Sequence, residues 1–275
     1  MLFLPHRSRS LLAALLLSGS TALQATVTTP DNGDIFVGFR ASAGQGSGVS
    51  LLVNLADDST LRGATAGSLL SLANLSASLT EVFGADWSTR SDLSWGVFGA
   101  RNQVNAVTYG SRTQTPVGQP AAPFGVQDLS QRTATKNQIV SVIEAYRLLD
   151  AFQANTNAAL QTNNLNSGSY SFQVGSVGTS DFGSLSQWVS IEGDFSLGAN
   201  ASVLDFFRFS ETGTERLGSF EISSAGAISF TRAQAAGVAG IRLAEPLYGK
   251  KAQQIALRHA HDLSTTWRRI MTRPS

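Results

Sequence analysis

Ile35-Phe36-Val37-Gly38-Phe39-Arg40-Ala41 is a β-branched and aromatic run, and the turn signal Asp31-Asn32-Gly33-Asp34 stands directly before it. Gly44-Gln45-Gly46-Ser47-Gly48 follows as a flexible turn and Val49 to Leu55 as a second strand, so the pair reads as a hairpin. Asp57-Asp58-Ser59-Thr60 closes it with side chains that hydrogen-bond their own backbone. Outward from this hairpin the period changes. Leu75, Leu79, Val82 and Phe83 lie at helical spacing, with Asn74 placed to cap and Gly84 to stop a short helix. Trp95-Gly96-Val97-Phe98 and Val104 to Tyr109 are strands around the turn Arg101-Asn102-Gln103. Pro116, Pro120 and Pro123 make 112–124 a loop.

Ile139, Val142, Ile143, Tyr146, Leu149 and Phe152 form one apolar face opposite Gln138, Glu144, Arg147 and Asp150, which predicts a long amphipathic helix between about 130 and 160. After a polar stretch, β signals resume at Tyr170 to Val174, Trp188 to Ile191, Leu204 to Phe209, Leu217 to Ile222 and Ala227 to Phe230. Ser223-Ser224-Ala225-Gly226 is a hairpin turn between the last two. Many short strands with one long and one short helix imply a β-rich α+β domain: an antiparallel sheet or sandwich with helices packed on it.

The 275 residues carry 14% charged side chains and a formal net charge of +1, which is a cancellation. Residues 26–231 hold 10 basic and 17 acidic side chains, a net −7; residues 232–275 hold 8 basic and 2 acidic, a net +6. The body is too acidic for nucleic acid. There is no cysteine, and none of the three histidines (His6, His259, His261) falls in the body. A Ser-His-Asp triad, an imidazole or thiolate metal site and a disulfide scaffold are therefore excluded there, and no cofactor is expected. Any catalytic acid or base in the body is a carboxylate. Residues 1–25 place Arg7 and Arg9 before the apolar run Leu11 to Leu17 and end on small residues, the order of a secretory signal peptide cut after Ala22 or Ala25. The expected organisation is leader 1–25, β-rich secreted domain 26–231 and basic tail 232–275, partly helical or disordered. No transmembrane span is expected once the leader is removed.

Taken together, Gly33-Asp34-Ile35-Phe36-Val37-Gly38-Phe39-Arg40-Ala41, Leu52-Val53-Asn54-Leu55, Phe83-Gly84-Ala85-Asp86-Trp87, Asp92-Leu93-Ser94-Trp95-Gly96-Val97, Tyr109-Gly110-Ser111-Arg112, Leu204-Asp205-Phe206-Phe207-Arg208-Phe209 and Leu217-Gly218-Ser219-Phe220-Glu221-Ile222 resemble secreted proteins abundant in Verrucomicrobia and their relatives, which usually end in a PEP-CTERM sorting signal. The resemblance spans most of 33–231 and implies export and a place in extracellular matrix or at the cell surface; it supplies no catalytic residues. The chain departs from that group at its end, where Glu245-Pro246 stands without Pro-Glu-Pro or an apolar run of membrane length. The tail sets Lys250, Lys251, Arg258, Arg268, Arg269 and Arg273 beside Ile255, Leu257, Leu263, Trp267 and Ile270. It reads either as a basic amphipathic helix for an anionic surface or as an altered reading frame.

Glu81, Asp86 and Asp92 cluster near Trp87 and Trp95, the residue mix of a sugar site: carboxylates for acid and base work, indoles for stacking on sugar faces. The competing expectation is core indoles and capping acids. Asp31-Asn32-Gly33-Asp34 and Asp57-Asp58 lack EF-hand spacing and read as turns, so no metal is expected. The expected function is an exported bacterial surface or matrix protein with a structural or adhesive role, without catalysis. The alternative is a carbohydrate-binding module or a carboxylate glycosidase, and extracellular polysaccharide or envelope components are the expected partners.

Overall fold

The computed structural model of the chain describes residues 26–153, 155–175, 182 and 190–234. The leader, the tail beyond 234 with His259 and His261, and Trp188 lie outside the described residues. The opening hairpin is present: β1 (Asp34–Ala41) pairs antiparallel with β2 (Val49–Asp57), Phe39 facing Leu51 across it. On its other side β1 pairs with β4 (Leu93–Arg101), Phe39 facing Trp95 and Gly38 facing Gly96. These central strands belong to a single eleven-stranded antiparallel sheet. Its order is β3 (Leu69–Asn74), β11 (Ala227–Arg232), β10 (Gly213–Ile222), β9 (Val203–Ser210), β5 (Val107–Thr113), β4, β1, β2, β7 (Asn155–Thr162) and β6 (Ala151–Phe152). A short β8 (Glu192–Asp194) pairs with β4 off this path.

The sheet curls so far that β2 touches β3, seven places away in the strand order. Right-handed twist accumulated over many strands produces such curling. Alternation then assigns each residue to one of two faces. Inside the curl lie Ile35, Val37, Phe39, Leu51, Val53, Trp95, Val97, Tyr109, Leu204, Phe206, Phe220 and Phe230, all buried in one cluster. Leu61 of α1 (Asp58–Gly63), with Leu79 and Phe83 of α2 (Ser76–Phe83), join the same cluster. On the outer face Phe36, Leu52, Phe98, Phe207 and Phe209 form a second cluster. Ile139, Val142 and Tyr146 of α3 (Leu129–Tyr146) and Tyr170 of α4 (Tyr170–Gly175) cover it. Asp128 opens α3 with a reciprocal capping box to Gln131.

The β-rich α+β class holds, and so do the strands at Leu204 to Phe209, Leu217 to Ile222 and Ala227 to Phe230. Of the sheet and the sandwich expected, the single continuous sheet is the one present. Two expectations need correction. The long helix ends at Tyr146, before Leu149 and Phe152. Asn155, Thr156 and Asn157 are poor helix formers, and the outer edge of β2 offers unpaired backbone groups, which β7 takes up from Val49 to Val53. Tyr170 to Val174 is helical, because its tyrosine anchors against the sheet rather than within it. Asp57 closes the hairpin as expected, its carboxylate accepting from the Ser59 backbone N–H at 2.7 Å and thereby capping α1. No helix among the described residues is long and apolar enough to cross a membrane.

Candidate functional site

The structure gathers Glu81, Asp86 and Asp92 around the β1–β2 turn, with the Glu81 and Asp92 carboxylates engaged locally. Gln45 donates to the Glu81 carbonyl, Gln153 hydrogen-bonds the Glu81 carboxylate, and Asp86 is exposed. Asp92 is held at 2.6 Å by Arg90, whose guanidinium also reaches the carbonyls of Ala43, Gln45 and Phe83. Arg90 accordingly pulls the Asp92 carboxyl below its usual range. The unit ties a loop to the end of α2. Trp87 and Trp95 are corrected as candidate stacking platforms, since they are only 2% and 0% exposed. Trp95 is sandwiched in parallel between Phe39 and Phe195, with Trp87 edge-on to Phe195, so no indole face is left for a ligand.

Buried carboxylates occur elsewhere, most of them on an arginine. Asp58 accepts from Arg101, from the Tyr109 hydroxyl and from Arg62 at 2.8 Å. Burial raises its carboxyl, but those hydrogen bonds and charges outweigh burial and the net shift is downward. Burial and the bond to Asp58 push Tyr109 up in turn. Asp205 is held by Arg216 at 2.5 Å and by the Gln114 amide at 2.9 Å. Asp34 is raised chiefly by burial, against hydrogen bonds from the Asp31 N–H and Asn54. Among the described residues no group of three or more His, Asp or Glu is placed to hold a metal ion.

Glu192 is the arginine-paired carboxylate among these on which burial prevails over its partner. Its side chain is 5% exposed and receives a forked pair of bonds from Arg40 at 2.6 and 3.0 Å, plus the Tyr170 hydroxyl at 3.1 Å. Burial pushes the carboxyl up, and Arg40 only partly opposes it. The cross-strand pair Gly38 and Gly96 makes room for the Tyr170 side chain: a Cβ on Gly38 would stand 2.5 Å from the ring and one on Gly96 3.0 Å from the hydroxyl.

Beside Glu192 the sheet forks. β4 pairs with β5 only between Phe98 and Arg101; further along, β8 takes the place beside β4, with Trp95 facing Gly193. Hydroxyls bridge the gap to β5, the Ser111 Oγ donating to the Ile191 carbonyl and the Thr113 Oγ1 to the Glu192 carbonyl. Where the branches part, a cleft of about 580 Å³ opens, lined by Thr113 to Val117, Glu192 to Asp194, Ser196, Leu197, Ala201 and Ser202. A Cβ on Gly193, one of the lining residues, would come within 2.9 Å of the Leu204 side chain, 3.0 Å of the Thr113 hydroxyl and 3.2 Å of the Ser202 hydroxyl. Ser202 Oγ accepts from the Trp95 Nε1–H at 2.6 Å, so its own proton remains to be donated. Asp194 turns the following loop by accepting from the Ser196 N–H and hydroxyl.

Sequence reading missed this cleft. Its walls come from three segments spread between Thr113 and Ser202, and none carries a recognisable motif. The lone available signal was Pro116 in a Thr-rich loop. Of the two carboxylates lining the cleft, Glu192 is committed to Arg40, so the pair of free carboxyl groups required by glycoside hydrolysis is not assembled from them. No family model matches the chain, and no curated protein or solved structure matches it.

Proposed function

We propose that this chain is an exported protein of a bacterial surface or extracellular matrix, with a structural or adhesive role rather than a catalytic one. The observation that carries the reading is the employment of its buried carboxylates. Asp58 and Glu192 each tie elements far apart in the chain together through arginine, and Asp205 ties the adjacent strands β9 and β10 in the same way. Groups held in this way are poor acids and bases, because the partner that fixes them also opposes proton exchange. A body built without cysteine or histidine suits an envelope or matrix role, and the leader-like order of residues 1–25 supports export. The test is sedimentation of the purified full chain with bacterial envelope and matrix material, assayed in parallel for released reducing sugar. Co-sedimentation without release is expected. Release of reducing ends above a buffer control overturns the non-catalytic role, and a chain left wholly in the supernatant overturns the adhesive one.

A further inference from the structure

We propose that the cleft at the sheet fork binds one residue of a neutral saccharide. The inference rests on the adhesive reading above and names its ligand class and its contact site. At about 580 Å³ the cleft falls within the roughly 300–1,000 Å³ typical of small-ligand sites. Its chemistry is selective. Thr113, Thr115, Ser196 and Ser202 contribute hydroxyls, and Asp194 contributes a carboxylate of which Ser196 occupies only Oδ1. Such a set matches vicinal hydroxyl groups, which both donate and accept. Among the described residues no lysine, arginine or histidine lines the cleft, so a phosphate, sulfate or uronate would meet Asp194 without a compensating cation from them. Pro116, Val117 and Leu197 form an aliphatic wall, Val117 45% and Leu197 82% exposed, against which the C–H face of a pyranose can lie.

At Gly193 the cleft wall meets the core: a side chain there would press on Leu204 as well as on the Thr113 and Ser202 hydroxyls, so the absence of a Cβ keeps those hydroxyls close together. Ser202 is fixed from behind by the indole of Trp95, so its remaining proton is oriented before a ligand arrives. With no aromatic platform in the wall, affinity per site is low, as suits a protein that adheres through many copies on a polymer.

Affinity electrophoresis of the full chain through gels containing dextran, galactomannan or polygalacturonate tests this. Retardation by a neutral polymer is expected and by polygalacturonate is not. Leu197→Asp and Val117→Asp alter exposed side chains and should fold; each is expected to weaken retardation about tenfold at unchanged thermal midpoint. Asp194→Asn, which keeps the acceptor for Ser196, should weaken it as well. Retardation equal in wild type and all three variants overturns the cleft while leaving adhesion standing, and retardation by polygalacturonate alone overturns the neutral ligand. Absence of retardation in either neutral polymer overturns the saccharide assignment, and the envelope sedimentation above then decides adhesion separately. A wild type that is dimeric where Leu197→Asp is monomeric also overturns it, by making a second copy of the chain the occupant.

Discussion

On the inner face of the sheet Phe39, Trp95 and Phe195 stack against one another, while on the outer face Phe36 meets Tyr146 edge-on and Phe98 lies against Tyr170. Both faces are dry and aromatic, yet they are closed by different means. Most of the inner cluster comes from strands whose curl folds the sheet over itself. The outer cluster depends on α3 and α4, which arrive from outside the ladder. A face closed by its own strands can be dismantled only with the sheet; a face closed by docked helices can loosen while the sheet survives. The largest effect is therefore expected from Trp95→Ala, which removes the middle of the three-ring stack. It should cost about 3–5 kcal/mol in urea unfolding and take both faces with it in one transition. A loss below about 1 kcal/mol would show that the inner stack is not what holds the curl.

Two of the buried ion pairs extend the comparison. Asp58, at one end of the inner face, has three donors, and its folded pKa lies below the ordinary 3.8. Its contribution is therefore full above the unfolded value and drains as pH falls through the folded one. Asp58→Asn strands Arg101 and Arg62 beside a neutral amide and should cost about 3 kcal/mol at neutral pH, a deficit that shrinks as the wild type is acidified. Glu192, on the outer face, is shifted the other way, above the ordinary 4.5. Its contribution is full below the unfolded value and is lost as pH rises through the folded one. Glu192→Gln should accordingly cost only about 1 kcal/mol at neutral pH, and its deficit should grow on acidification. Thermal midpoints of both variants and wild type between pH 3 and 8 check this; deficits that move in the same direction would refute the contrast. Gly38→Ala, which drives a methyl into the Tyr170 ring, should cost about 1–3 kcal/mol, and loss of near-ultraviolet circular dichroism with far-ultraviolet signal retained would place the damage on the outer face.

The same difference decides what could be read from the chain. Ile35 to Ala41 and Leu204 to Phe209 announce themselves as strands because alternate residues face two apolar environments and the run is unbroken. Asn155 to Thr162 is equally a strand, but its Asn, Thr and Gln side chains carry no such signal; it is made a strand by the vacant edge of β2. The helix at 129–146 was legible, whereas its end was not, because Leu149 and Phe152 keep helical spacing while packing on opposite faces of the sheet. For the site, the burial of Trp87 and Trp95 turns on Phe195, a hundred residues further on. The Arg40–Glu192 pair spans 152 residues, and no local pattern links its members.

The smallest effects separate the faces by sign. Trp95 on the inner face has its one polar atom satisfied by Ser202, so Ser202→Ala leaves a buried indole N–H without an acceptor and should cost about 1–3 kcal/mol. Tyr146 on the outer face carries a buried hydroxyl with no hydrogen-bond partner among the described residues, and its titration is pushed up chiefly by burial. Removing an unsatisfied buried group removes its desolvation cost without breaking a bond, and the ring's contact with Phe36 is kept. Tyr146→Phe should thus be neutral or stabilising by up to about 1 kcal/mol. Chemical denaturation of the two variants in parallel reads the difference. A destabilisation by Tyr146→Phe comparable to that of Ser202→Ala would mean that the outer face, too, is held by a satisfied polar tip, and that its docked helix is as firmly fixed as the curl beneath it.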